Sequence, residues 1–149
     1  MLDIQIRRME RTDWDEWLRM RLALWPDATA REHAQEMESI LADADSPVFI
    51  ALRADGRPGG FLEGGLRKYA DGCESGPVGY IEGWYVAEDL RRQGVGGALV
   101  HALEAWARER GLTEMASDTW IDNETSISAH KRLGYEEAER LVHFVKKLA

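Results

Sequence analysis

Apolar positions recur along the chain at two different periods, and the order in which the periods change predicts the architecture. Residues 2–8 alternate around Ile4 and Ile6 and predict a short first strand. Trp14, Trp17, Leu18, Leu22 and Trp25 then fall at helical spacing, with Thr12 and Asp15 as the expected opening cap and Pro26 as the stop. A second capping box, Thr29-Ala-Arg-Glu32, opens a helix with Met37, Ile40 and Leu41 on one side. Strand-like runs follow at 48–53 and 59–67, joined through Asp55-Gly56, a strong hairpin signal. A polar, turn-rich loop from Ala70 to Pro77 leads to residues 79–87, apolar enough for a central strand. Val95, Leu99, Ala102, Leu103 and Trp106 mark one face of a helix ending at Gly111. A short strand at 113–117, a helix near 125–133 and a last strand near 141–148 complete the order β-α-α-β-β-β-α-β-α-β. That order predicts an α/β fold, a mixed sheet with helices on both faces.

The chain has 149 residues, the length of one domain, and a single domain over 1–149 is expected. With 44% hydrophobic and 31% charged residues it has an ordinary globular composition. The longest apolar run, Val48–Leu52, falls far short of the roughly 18 residues a membrane span needs. Asp3, Arg7 and Arg8 stand where a secretory leader needs an apolar core, which predicts a cytoplasmic protein. The formal charge of −8 disfavours nucleic acid as a partner and makes a cationic small molecule easier to accept. A single cysteine, Cys73, excludes an internal disulfide framework, and His33, His101, His130 and His143 match no metal-ligand spacing, so no metal is expected.

Between the central strand and the most regular helix lies Arg91-Arg92-Gln93-Gly94-Val95-Gly96-Gly97. Glycines at such a turn let a ligand approach the backbone, and the free N–H groups of the following helix suit a pyrophosphate. A P-loop would end in Gly-Lys-Ser/Thr, whereas this turn ends Gly-Gly-Ala. A dinucleotide fingerprint would need a third glycine where Leu99 stands.

This turn, together with Gly83-Trp84-Tyr85-Val86 before it and Leu133-Gly134-Tyr135 after it, resembles the GCN5-related N-acetyltransferases over essentially the whole chain. The chain is more narrowly similar to the aminoglycoside 6'-N-acetyltransferases at Leu24-Trp25-Pro26, Glu82-Gly83, Met115-Ala-Ser-Asp-Thr119, Asn123 and Leu133-Gly134-Tyr135-Glu-Glu. The resemblance implies the GNAT fold, acetyl-CoA as donor, a cationic aminoglycoside as acceptor, antibiotic resistance and a homodimer. It also implies that backbone N–H groups of Trp84, Tyr85 and Val86 hold the oxyanion, and that residues 91–97 and Asn123 bind the coenzyme. Asn123 fits a plain helix cap as well.

Acetyl transfer to an amine needs the amine neutral, the thioester carbonyl polarised and a proton for the departing thiolate. An alkylammonium of pKa near 10.4 is neutral about once in 2,500 at pH 7, so a carboxylate has to attract the cation and give its proton a route out. Strand alternation places Glu82 on one face with Tyr80, Trp84 and Val86, where a carboxylate is costly unless paired. A structural pairing with an arginine would satisfy it equally. Asp118 ends a short strand, where open α/β sheets carry ligand groups, though a turn aspartate fits too. The resemblance makes both residues aminoglycoside contacts, with either as base or proton relay. His130 stands where many relatives carry a tyrosine that protonates the thiolate; it fits helix packing equally. Trp25, Tyr69 and Glu139 match positions lining the aminoglycoside cleft, against the alternatives of core packing, an exposed aromatic and a solvated charge run. Cys73 lacks a paired base, so direct attack in a ternary complex is expected rather than a covalent intermediate. Two other functions fit the same residues: acetyl transfer to a polyamine, peptide N-terminus or lysine, and a non-catalytic coenzyme-binding regulatory module.

Overall fold

A computed structural model describes residues 3–149, so the expected start of the first strand at Leu2 lies outside the described residues. The strands are β1 (Gln5–Arg8), β2 (Val48–Leu52), β3 (Pro58–Arg67), β4 (Val78–Val86) and β5 (Met115–Ser117). The helices are α1 (Trp14–Leu24), α2 (Ala30–Leu41), α3 (Val95–Glu109) and α4 (Glu124–Arg132). The sheet runs β1-β2-β3-β4-β5, antiparallel except for the parallel β4–β5 pair.

Strand β2 shows why the sheet is covered twice. All five of its residues are buried. Val48, Ile50 and Leu52 pack with Trp17, Met20 and Met37 of α1 and α2, while Phe49 and Ala51 pack with Leu99 and Leu103 of α3. A strand apolar on both faces needs two helical layers, and the chain supplies them as expected.

Helix α2 opens on the predicted box: Thr29 Oγ1 accepts from the Glu32 N–H at 3.1 Å, and the Glu32 carboxylate accepts from the Thr29 N–H at 3.1 Å. The opening of α1 differs from the expectation at Thr12 and Asp15. A 3-10 turn, Arg11–Asp13, precedes the helix, and Asp13 accepts from the Glu10 N–H at 2.7 Å. Arg7 on β1 holds both Asp13 oxygens, at 2.8 and 3.0 Å, so a tertiary ion pair fixes the turn that leads into α1.

Two expectations are corrected. No strand forms at 141–148: residues 136–149 carry no regular element and all are exposed, among them Leu141, Val142, Phe144, Val145 and Leu148. That segment is apolar on both faces, and β5, the sheet edge nearest it in chain order, is only three residues long. The alternation of β4 is also broken. Gly83 pairs with Glu63 and Ile81 with Gly64, leaving Glu82 as an extra, bulged residue. Ile81, Trp84 and Val86 therefore pack on the α3 face, while Glu82 turns to the α1–α2 face and meets the same arginine as Tyr80.

Among the described residues, no helix is long and apolar enough to cross a membrane.

Candidate active site

The β4 bulge opens onto a cleft of about 540 Å³ on the α1–α2 face, lined by Trp25, His33, Glu36, Glu63 and Glu82 among others. That volume is in the range of small-molecule sites. Trp25 forms one wall. It ends α1, and Gly83 lets it lie against β4, since a Cβ there would sit 2.5 Å from the indole.

A buried charge network fixes that wall. Arg21 and Glu63, 1% and 4% exposed, pair at 2.6 Å, and Trp17 Nε1–H donates to the same Glu63 oxygen at 2.8 Å. Arg21 also donates to His33 Nδ1 at 3.1 Å and to Glu36, and its guanidinium lies 4.8 Å from the Trp25 ring centroid. His33 Nδ1 accepts, so Nε2 carries the hydrogen and donates to the Trp25 carbonyl at 3.0 Å. Burial pushes the Glu63 carboxyl above its ordinary value, against the pull of Arg21 and Trp17. Three acidic side chains thus face a cleft whose one buried cation is already engaged.

The two carboxylates expected to carry the chemistry are linked. Arg67, at the end of β3, donates to both oxygens of Glu82, at 2.6 and 2.9 Å. Its guanidinium stacks 3.4 Å over the Tyr80 ring, and the Tyr80 hydroxyl donates to Asp118. Burial and the bond to Asp118 raise the Tyr80 hydroxyl well above the ordinary phenol range, keeping it a donor. The arginine pairing that sequence left open for Glu82 is present, and Glu82 is exposed rather than buried. Tyr69 and Glu139 sit apart from this cluster in a second group. Tyr69 is 68% exposed and donates to Asp71 at 3.0 Å, which raises its hydroxyl pKa, with a smaller contribution from Glu139.

On the other side of the sheet, the glycine turn has the form expected of an anion cradle. Arg92 (φ 63°) and Gly94 (φ 85°) take left-handed conformations in succession around Gln93, which turns backbone N–H groups outward. Helix α3 starts with no side-chain cap and no acidic residue in its first turn. Arg91 Nε donates to the Val86 carbonyl at 2.8 Å and Gln93 Nε2 to the Asp89 carbonyl at 2.9 Å, which ties the turn to the end of β4. A Cβ on Gly96 would sit 3.1 Å from Trp84, whose buried indole N–H has no partner among the described residues. Strand β5 pairs with β4 at Gly79–Ile81, so, among the described residues, 82–86 have no strand neighbour on that side. An open helix N-terminus, nearby arginines and an unpaired strand edge fit a diphosphate-bearing thioester.

His130 lies between the two regions, its ring edge-on to Trp84 with centroids 5.2 Å apart. Nδ1 donates to the Ser126 carbonyl at 2.7 Å, and Nε2 shares a hydrogen bond with Ser117 Oγ at 2.7 Å. Asn123 caps α4, its Oδ1 accepting from the Ser126 N–H at 3.1 Å. Among the described residues, no three His, Cys, Asp or Glu side chains gather as metal ligands.

Residues 7–135 match the model of the Acetyltransferase (GNAT) family. The chain belongs to that family. This GNAT protein is 47% identical over 146 residues to the aminoglycoside N(6')-acetyltransferase type 1 of Klebsiella aerogenes, covering 96% of each chain. It is 44% identical over 140 residues to that of Stenotrophomonas maltophilia, covering 93% of this chain and 90% of the relative. Its fold superposes on AAC(6')-Iy in complex with the bisubstrate analog CoA-S-monomethyl-acetylneamine, with TM-score 0.93, 37% identity, and 97% and 99% of the two chains covered. The GNAT fold expected from the glycine turn and its flanking motifs is the fold observed.

Sequence reading missed Arg21, Glu63, Arg67 and Tyr80. Arg21 carried a signal: it falls four residues from both Trp17 and Trp25, inside the apolar stripe of α1. Arg67 carried none, because nothing local distinguishes it from Lys68 beside it.

Proposed function

We propose that the protein is an acetyl-CoA-dependent aminoglycoside 6'-N-acetyltransferase, formed by one N-acetyltransferase domain over residues 1–149, whose activity confers resistance to its substrates. The observation that carries this reading is the pairing of an acid-lined cleft with an anion cradle across one bulged strand. The cleft attracts a polycation and the cradle a diphosphate, so the two ligands approach β4 from opposite sides.

Acetyl-CoA supplies the acetyl group as a thioester. Backbone N–H groups at the start of α3, with Arg91, Arg92 and Gln93, hold the diphosphate, and Asn123 adds a coenzyme contact. The free edge of β4 at Trp84–Val86 offers N–H donors where charge builds on the carbonyl oxygen. Trp25, Glu82 and Asp118 hold the aminoglycoside, with Tyr69 and Glu139 at its far end. Glu82, directly or through water, takes the ammonium proton before attack, and Asp118 with Tyr80 is the second route for it. His130 Nε2 takes up the proton that the amine loses on attack and passes it through the Ser117 hydroxyl to the departing thiolate. No step needs a nucleophile on the protein.

The acetyl donor is an intracellular metabolite, which supports a cytoplasmic location. Two features of this chain support the homodimer reading: β5 ends the sheet, and the apolar residues between Leu141 and Leu148 are exposed. Such a tail, unable to bury itself in its own chain, is satisfied by pairing with the partner's sheet.

A thiol-release assay over a panel of acceptors tests the function. Turnover with kanamycin-type aminoglycosides and little with polyamines, peptide N-termini or free lysine is expected. Turnover confined to those other amines, or coenzyme binding with no turnover on any amine, would overturn it. Glu82→Ala and Asp118→Ala are expected to weaken acceptor binding or turnover while coenzyme affinity stays intact.

A further inference from the structure

Arg67 occupies the position an acceptor ammonium needs. It takes both oxygens of Glu82, covers the Tyr80 ring and reaches Asp118 through that tyrosine, so one guanidinium serves as counter-ion to the whole carboxylate pair. Its surroundings differ from those of Arg21, the other arginine near the cleft. Arg21 is 1% exposed and held by Glu63, Glu36 and His33 at once, so it cannot leave. The Arg67 side chain is 43% exposed, and among the described residues Glu82 is its only ion-pair partner. Without Arg67, a half-exposed carboxylate would face the cleft with no cation.

We propose that Arg67 is a built-in stand-in for the substrate ammonium, displaced from Glu82 when a polycationic acceptor binds. This rests on the reading of Glu82 as an amine contact. The exchange replaces one charge-assisted pair with another, so a lone ammonium gains little from it. An acceptor whose further cations reach Asp118 or the acidic wall of the cleft gains what Arg67 cannot supply. Arg67 therefore sets the threshold for acceptor binding: every amine meets the same competition, and multiply charged ones bind in spite of it.

The test compares Arg67→Met, Arg67→Lys and Glu82→Gln in steady-state acetyl transfer, with a kanamycin-type aminoglycoside and a simple monoamine as acceptors. Arg67→Met is expected to lower KM for the aminoglycoside about two- to five-fold, the scale of a half-exposed ion pair. It is also expected to lower KM for the monoamine by a similar factor, since both amines compete with the same guanidinium. Arg67→Lys, which keeps a cation on Glu82, is expected to stay near the wild-type KM. Coenzyme affinity by titration should be unchanged in all three, which separates a site effect from loss of fold. If Arg67→Met raises KM while Glu82→Gln also raises it, Arg67 holds Glu82 in place and the stand-in role is wrong. If Glu82→Gln leaves KM unchanged, the reading of Glu82 fails, whatever Arg67 does.

Discussion

Trp25 sets the outer edge of its indole against Gly83, so closely that a single added carbon on Gly83 would fall 2.5 Å from the ring. The contact joins the end of α1 to the residue beside the bulged Glu82, and so bounds the cleft that Trp25 and Glu82 line. Gly83→Ala forces the indole outward. Overpacking of this kind costs about 1–3 kcal/mol. A raised KM for the aminoglycoside with unchanged coenzyme affinity is expected; an unchanged KM would show that Trp25 does not bound the acceptor site.

Behind Trp25, Arg21 and Glu63 depend on each other. Glu63→Ala leaves a guanidinium buried beside an indole with one acidic partner fewer, and a loss of about 3–5 kcal/mol in urea unfolding is expected. Replacing both residues by apolar ones, Arg21→Met with Glu63→Leu, removes the unpaired charge and should restore much of that stability. Equal losses in the single and double variants would contradict the coupling.

Asp13 gives a pH dependence with a definite sign. The hydrogen bonds from Arg7 hold its carboxyl below the usual carboxylate range, despite opposing burial. The folded chain therefore gives up that proton at lower pH than the unfolded one. The stabilisation is complete above the unfolded value of about 3.9 and is lost as pH falls through the lower folded value. Asp13→Asn is expected to cost about 1–2 kcal/mol at pH 7. The difference from wild type should shrink on acidification, as followed by urea unfolding at both pH values.

The tail beyond Tyr135 predicts an assembly. Light scattering after size exclusion is expected to give twice the chain mass for the full protein and the single mass after removal of residues 140–149. A monomeric full chain would leave the exposed apolar side chains from Leu141 to Leu148 without their expected cover.

Much of this fold was legible because β2, α2 and α3 each carry a pattern with one physical solution. Thr29 and Glu32 can satisfy each other only by capping α2, and β2 can bury both faces only between two layers. The misjudged features share a different character, since each was decided by a partner distant in sequence. Asp13 rather than Thr12 opens α1 because Arg7 reaches it from β1. Glu82 shares a face with Tyr80 but not with Trp84 because β4 gains a residue against β3, and a period-two reading cannot register an insertion that only the partner strand reveals. Val142 and Phe144 read as a strand and none forms there, because alternation along a segment carries no information about whether a sheet edge lies beside it. Glu82 and Asp118 stood out as candidates from residue type, place and family resemblance, whereas the arginine and tyrosine joining them became visible only once β3, β4 and β5 lay side by side.

The most direct test uses two aminoglycosides identical except for an amine or a hydroxyl at the 6' carbon, incubated with the protein and acetyl-CoA while thiol release and product mass are followed. The amine compound should be turned over to a product carrying one added acetyl group on the 6' nitrogen, and the hydroxyl compound should release little thiol. Equal turnover of the two, or acetylation of the first at any other nitrogen, would contradict the account.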